Sequence, residues 1–231
     1  MTGPEKEILD TWSINAGAWT RAIASAAIES RNLVTNAAIL AAISGDKPVS
    51  LLDMGCGEGW LLRALATTAP HMELFGLDAI PELVATAAET PSLHVAVASY
   101  EAVLNGFACP RAAGFDVIVF NFSLFGDQLV GNLLHKLQDW LSPGGRILIQ
   151  TLHPYTVIGQ HRYESGWLPG SWSGIGEDFV QPAPWYFRTF EDWIRLFSHA
   201  GYDLSALLEP MHPKTGLPAS AIFRLQLSVH E

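Results

Sequence analysis

The sequence predicts an α/β fold built on a seven-stranded, mainly parallel sheet with an antiparallel last strand. Three observations carry that expectation. From Val49 onward, short apolar runs alternate with segments of helical character, the pattern of parallel strands joined by crossover helices. The run FDVIVFN at 115–121 is apolar almost throughout, as a central strand buried on both faces requires. Near the C-terminus, two strand-like runs flank a loop too short for a helical crossover, so they are expected to pair antiparallel.

The elements follow in order. Residues 5–43 read as an alanine-rich helical cover carrying Trp12 and Trp19, stopped by the Ser44-Gly45-Asp46-Lys47-Pro48 punctuation. Strands are expected at 49–54, 72–78, 92–98, 115–121 and 145–151. Helices are expected at 59–68, from Pro81 to just before Pro91, and at 126–141, with a short helix or turn ending near Gly106. Residues 152–188 lose all periodicity and mix proline and glycine with aromatic residues. A segment of that length inside a compact domain is usually functional or disordered, and its aromatic content argues against plain disorder. From Thr189 to Asp192 the sequence has the spacing of a capping box, with Asp in place of Glu, and opens a helix that Gly201 ends. Strands at 202–209 and 220–229 close the chain, and the period-two alternation of the latter suits a strand near a sheet edge. Residues 1–231 thus read as one domain with an N-terminal helical cover at 5–43 and an aromatic lid at 152–188.

Composition narrows the function. Of 231 residues, 49% are hydrophobic and 16% charged, which excludes general disorder. Thirteen basic against 23 acidic residues give a net charge of -10, which argues against nucleic acid or an anionic membrane as partner. A small-molecule partner fits better, with the chain a monomer or homodimer. The N-terminal residues lack the basic and apolar regions of a signal peptide and no apolar run is long enough to span a bilayer, so a cytoplasmic location is expected. Cys56 and Cys109 are too few for a disulfide framework or a cysteine-based zinc site, and no histidine spacing specifies metal ligation.

The sharpest motif runs from Leu51 to Trp60, LLDMGCGEGW. A strand entering Gly55, Gly57 and Gly59 and then a helix lets a ligand approach the backbone closely and offers it free amides. Asp53 and Asp78 end the first two strands, where an acid can face a bound ligand, and Asp78 can accept from ribose hydroxyls. A dinucleotide fingerprint would need glycine where Trp60 stands, and a phosphate-binding Walker loop would need Lys followed by Ser or Thr. The side chains nearby, Asp53 and Glu58, are acidic and suit a ligand with positive charge instead.

LLDMGCGEG resembles the first motif, L-D-x-G-C-G-x-G, of the class I methyltransferases that use S-adenosylmethionine. The resemblance runs from about Trp12 to Leu227 and includes FDVIVFNFSLF and LSPGGRILIQT. It implies a Rossmann-like fold, S-adenosyl-L-methionine as cofactor with S-adenosyl-L-homocysteine as product, and methyl transfer to a small, partly apolar acceptor. By the same resemblance, Gly55, Cys56, Gly57 and Gly59 would wrap the methionine end, with Asp53 near its amino group. Asp78 would hold the ribose, and Ala79 and Ile80 would lie against the adenine. Asn121 and Phe122 would approach the methyl-transfer site, while Trp19 would cover the cofactor and Trp12 the substrate. The stretch Val97-Ala98-Ser99-Tyr100 departs from the Gly-Asp-Ala of many members, so Ser99 and Tyr100 would meet the adenine end without a carboxylate.

His153, just beyond the fifth strand, is the expected general base, because histidine accepts a proton near neutrality. Tyr155 is the second catalytic candidate; His161 and His212 are weaker alternatives. Trp167, Trp172, Trp185 and Tyr186 are expected to bind the substrate. The hydrolase-like Gly170-Ser171-Trp172-Ser173-Gly174 has Trp where a nucleophilic serine belongs. Two alternatives stand beside the enzyme reading: a non-catalytic S-adenosylmethionine-binding interaction protein, and an NAD(P)-dependent oxidoreductase, the latter disfavoured by Trp60.

Overall fold

The computed structural model describes residues 3–176 and 178–229. Its strands are β1 (Ser50–Met54), β2 (Glu73–Asp78), β3 (His94–Val97), β4 (Phe115–Asn121) and β5 (Leu141–Thr151), then a separate pair, β6 (Gly166–Leu168) and β7 (Trp185–Phe187), and finally β8 (Tyr202–Leu208) and β9 (Ala221–Leu227). The main sheet has the order β3-β2-β1-β4-β5-β9-β8. β9 runs antiparallel to both of its neighbours, and the other pairs are parallel, as the sequence predicts. Between β1 and β4 the strand order reverses. That reversal opens a crevice beyond the carboxyl ends of the two strands, where Asp53 and Asn121 lie.

Alternate residues of the central strands feed two apolar layers, as a sheet covered on both faces requires. Leu51, Val117, Val119, Leu148 and Ile222 pack with Ile39 and Ile43 of α2 (Asn36–Ser44) and Leu61, Leu62 and Leu65 of α3 (Trp60–Thr68). Leu52, Ile118, Phe120, Ile149 and Phe223 point the other way, into a layer holding Leu133 and Leu134 of α6 (Gln128–Leu137) and Trp193 and Phe197 of α8 (Phe190–His199). Thr189 caps α8 by accepting from Asp192 N at 3.1 Å, which realises the capping spacing read from the sequence.

Four boundaries differ from expectation. The third helix ends at Leu137 and continues as a 3-10 turn, Gln138–Trp140; β5 then begins at Leu141, with a register shift against β4 at Phe115/Val117. β9 lies one strand in from the edge, with Ala221, Ile222, Phe223 and Leu225 all buried, and β8 forms the edge. The irregular segment contains the short antiparallel pair β6 and β7, with Trp167 opposite Tyr186. The helical cover is broken: α1 (Pro4–Ala24) packs on α4 (Pro81–Ala88), and after a bend a π-helical turn, Arg31–Thr35, leads into α2. Such turns insert an extra residue and are frequent at functional sites; this one carries Arg31, Val34 and Thr35 inward.

Candidate functional site

Two adjoining cavities lie over the crevice. The first, of about 150 Å³, is lined by the glycine turn after β1, the ends of β2 and β4, and α1. The turn is held by Gly55 N and Cys56 N, which both donate to Leu77 O, at 2.7 and 3.0 Å. Gly55 has φ +83°, and a β-carbon there would crowd the Ser123 side chain, with Oγ at 2.9 Å. Ser123 is a residue the sequence reading passed over; its Oγ donates to Met54 O at 2.6 Å and fixes the loop after β4 against β1. Cys56 is buried within the turn, where burial pushes its thiol well up. Gly59, in the left-handed region, leads into α3.

Two acids of this cavity, Asp53 and Asp78, have raised pKa values. Asp53 is 2% exposed and its Oδ1 has no hydrogen-bond partner. Burial raises its pKa well above the usual carboxylate value; Asp78 and Glu58 push the same way and Arg31 opposes them. Asp78 accepts from Ile80 N through Oδ1 at 2.8 Å and from Gly57 N through Oδ2 at 2.9 Å. Its pKa is also raised, chiefly by burial, against those two hydrogen bonds. The carboxylate therefore ties the glycine turn to the start of α4 and still faces the cavity, beside Ala79 and Ile80. Ser99 lines the cavity too, but its Oγ caps α5 (Tyr100–Leu104) by accepting from Ala102 N at 3.1 Å. The Tyr100 hydroxyl turns away to donate to Met54 O or Ser123 O, so only its ring is left for a ligand. At the end of β4, Asn121 Oδ1 is a second buried acceptor without a partner, and Phe122 takes φ +54°.

The second cavity, of about 460 Å³, adjoins the first; Trp12, Trp19, Arg31, Phe122 and Phe125 line both. Trp172 and Trp185 close its outer side, and Trp172 meets Trp12 edge-to-face at 5.4 Å. Asn15, absent from the sequence reading, straps the outer segment to α1. Its side chain donates to Val180 O at 2.7 Å and accepts from Val180 N at 2.8 Å, as a neighbouring strand would. Trp167 and Tyr186 do not line either cavity: they pack on one another at 5.5 Å, with Arg188 stacked on Tyr186. These two substrate candidates lie outside the lining of both cavities.

The largest omission from the sequence reading is Arg31. Only 8% exposed, its guanidinium lies over the rings of Trp19 and Trp60, at 5.3 and 4.6 Å, and its Nη2 has no hydrogen-bond partner. Burial pushes its pKa down to about 10, with Glu58 and Asp53 opposing. Glu58, also buried, accepts from Trp19 Nε1 at 3.0 Å and pairs with Arg63. The signal available was an arginine followed by thirteen uncharged residues up to Ser44, which sequence periodicity cannot distinguish from a solvated one.

The structure does not bring His153 and Tyr155 to the cavities. His153 is 3% exposed and both ring nitrogens are engaged: Nε2 meets Glu209 Oε1 at 2.8 Å, and Nδ1 accepts from Tyr155 N at 3.2 Å. It caps α7 (Pro154–Val157), and this corrects the expectation of a general base at this position. Tyr155 is 66% exposed, away from both cavities. His161 is exposed, and His212 Nδ1 accepts from Lys214 N in the loop before β9. We expect His153→Gln to lower stability by about 1–3 kcal/mol through lost buried hydrogen bonds, and to keep turnover within about threefold. Thermal melts and product release measure the two; a hundredfold loss of turnover with an unchanged melt would return the residue to catalysis.

The cavity suits S-adenosylmethionine by its donor set. Two buried unpartnered acceptors, Asp53 Oδ1 and Asn121 Oδ1, and five acids, Glu5, Asp53, Glu58, Asp78 and Glu101, belong to a cavity lining that among the described residues includes one cation, Arg31. A model of the methyltransferase domain family matches residues 28–207. The malonyl-[acyl-carrier protein] O-methyltransferase of Halalkalibacterium halodurans is 28% identical over 147 residues, which cover 61% of this chain and 54% of that protein. The trans-aconitate 2-methyltransferase of Streptomyces avermitilis is 31% identical over 107 residues, 45% of this chain and 39% of that protein. The matches therefore span about half or less of those two relatives. Among solved structures, the DhpI-SAM-HEP complex superimposes with a TM-score of 0.68 at 12% identity, covering 98% of this chain and 99% of that one, and shares its fold.

Proposed function

The chain belongs to the methyltransferase domain family, and from that membership we propose that it transfers a methyl group from S-adenosylmethionine to a small, partly apolar acceptor. The observation that carries the reading is the buried, unpartnered Asp53 carboxylate at the strand-order reversal. An acid whose ionised form is disfavoured by burial is stabilised by a ligand that brings positive charge.

When bound, the cofactor supplies an electrophilic methyl group on a positively charged sulfur. The chain's own residues do the rest. Asp53 and the glycine turn hold the methionine end, Asp78 takes the ribose, Ala79 and Ile80 flank the adenine, and the Tyr100 ring and Ser99 bound its far side. Trp19 and Phe122 separate the two cavities. Trp12, Trp172 and Trp185 form an aromatic chamber that excludes water and limits the acceptor's orientations, which is most of what a displacement at carbon asks of a protein. The acidic net charge and a concave, largely apolar cavity of about 460 Å³ support a small molecule, rather than nucleic acid, as the partner. Among the described residues, no helix is long and apolar enough to cross a membrane.

Calorimetry with S-adenosylhomocysteine and with NAD, side by side, tests the cofactor. Binding of the former only is expected, and binding of NAD only would favour the oxidoreductase alternative. Asp78→Ala should raise the S-adenosylhomocysteine dissociation constant by about 10- to 150-fold, the equivalent of roughly 1.5–3 kcal/mol for a charged hydrogen bond. An unchanged constant in the folded variant would remove Asp78 from the ribose. Release of S-adenosylhomocysteine across an acceptor screen separates catalysis from cofactor binding alone.

A further inference from the structure

Resting on the methyl-transfer reading, we propose that the acceptor is an apolar molecule bearing a carboxylate, and that a carboxylate oxygen is the atom methylated, giving a methyl ester. The argument begins with what the second cavity lacks. Among the described residues lining it there is no Asp, Glu, His, Lys, Cys or Tyr; its ionisable group is Arg31. An alcohol, a phenol or a protonated amine would have to lose a proton to attack, and no lining side chain is placed to take it. A carboxylic acid has already lost its proton near neutrality, since ordinary carboxyl groups titrate around pH 4.

The second part concerns what the cavity holds in readiness. Arg31 and Thr35 both come from the π-helical turn and both line the chamber. Both are more than nine-tenths buried, and in each one atom, Nη2 and Oγ1, has no hydrogen-bond partner. Buried donors left unmatched by their own protein are costly unless a ligand completes them. A guanidinium fixed between Trp19 and Trp60, with a hydroxyl one turn on, is a matched pair of donors for the two oxygens of a carboxylate. Apart from Ser30, Ser171 and Ser173, the remaining wall is mostly aromatic and aliphatic, with Trp12, Trp172 and Trp185 foremost, and suits the acceptor's apolar body.

The reaction balances without a further reactant. A lone pair on the carboxylate oxygen forms the new O–C bond, the C–S bond breaks, and its electron pair stays on sulfur, which becomes a neutral thioether. No proton changes hands. An anion and a sulfonium cancel as they react, and mostly apolar surroundings favour that loss of charge.

The test uses the full chain with phenylacetate, 3-phenylpropionate and octanoate, against the corresponding alcohols and amines. Release of S-adenosylhomocysteine is the readout, and the product is challenged with mild alkali. Carboxylates are expected to be turned over at least 100-fold faster than their matched alcohols and amines, and the product to release methanol as an ester does. Arg31→Gln should raise the carboxylate KM by about 10- to 150-fold and Thr35→Val by about 3- to 10-fold; Thr35 lines the second cavity and not the first, so in Thr35→Val the S-adenosylhomocysteine dissociation constant should stay within about twofold. Thr35→Val keeps shape and volume, so it reads the site even if Arg31→Gln unfolds. Preference for the alcohols or amines, or failure of every carboxylate to quench the tryptophan emission of the S-adenosylhomocysteine-loaded protein, would overturn the proposal and leave methyl transfer standing. Loss of S-adenosylhomocysteine affinity in Arg31→Gln equal to its loss of acceptor affinity would also overturn it, by assigning the guanidinium to the cofactor. A wild-type chain that fails to bind S-adenosylhomocysteine would instead remove the methyl-transfer reading itself.

Discussion

Replacing Gly55 by alanine is expected to abolish detectable S-adenosylhomocysteine binding and to lower the stability of the fold by about 2–5 kcal/mol. Two separate costs add. The backbone at φ +83° is one that an L-residue occupies at a penalty of roughly 1–2 kcal/mol. A β-carbon there would also press on Ser123, with Oγ at 2.9 Å, and on the Tyr100 hydroxyl at 3.1 Å, and crowding of this kind costs about 1–3 kcal/mol. Relief would require Ser123 to give up its 2.6 Å hydrogen bond to Met54 O, which loosens the loop carrying Asn121 and Phe122 as well. Gly57 makes a contrast. A β-carbon there meets only Trp19 Nε1, at 3.6 Å, so Gly57→Ala should perturb the free protein less and act on the ligand's side of the turn. Thermal melts and calorimetry on both variants check this. Wild-type affinity in Gly55→Ala would mean that the ligand does not use the turn at all.

Asp53→Asn is expected to stabilise the free protein at neutral pH and yet weaken cofactor binding by 100-fold or more. The folded-state pKa of Asp53 is raised, first by burial and then by Asp78 and Glu58. Between the unfolded-state value, about 3.9, and the raised folded value, the unfolded chain holds fewer protons than the folded one, so stability falls as pH rises through that window. Asparagine carries no charge to bury and removes that loss. The variant should therefore melt above wild type near pH 7, and the gap should close as pH falls toward 4. Binding moves oppositely, because the ligand's positive charge is the partner that the buried carboxylate lacks. In the wild type, binding should be accompanied by proton release, measured by calorimetry in buffers of different ionisation enthalpy. A variant that melts below wild type at every pH, or that binds equally well, would show that Asp53 is a structural acid completed within the protein.

The sequence by itself determined the sheet and the first cavity's frame. Strand runs such as FDVIVFN, the glycine turn after Asp53 and the capping sequence at Thr189 are local: their period, turn residues and caps specify backbone conformation within a few residues. The strand-order reversal, which the sequence does not specify, puts Asp53, Asp78 and Asn121 at one end of the sheet. Tertiary structure decided the contacts that join distant segments. His153 looked free to act as a base until Glu209, far along the chain, met its ring. Arg31 carried no distinguishing signal in the sequence, and a π-helical turn places it between Trp19 and Trp60; Asn15 gained a role only when Val180 folded back onto α1. Trp167 and Trp172 share a segment and a composition, yet one packs on Tyr186 and the other lines the chamber. Periodicity and turn chemistry act over a few residues and are written in them; burial, the pairing of a charge and the shift of a pKa depend on what arrives from elsewhere in the chain, and no local pattern encodes that.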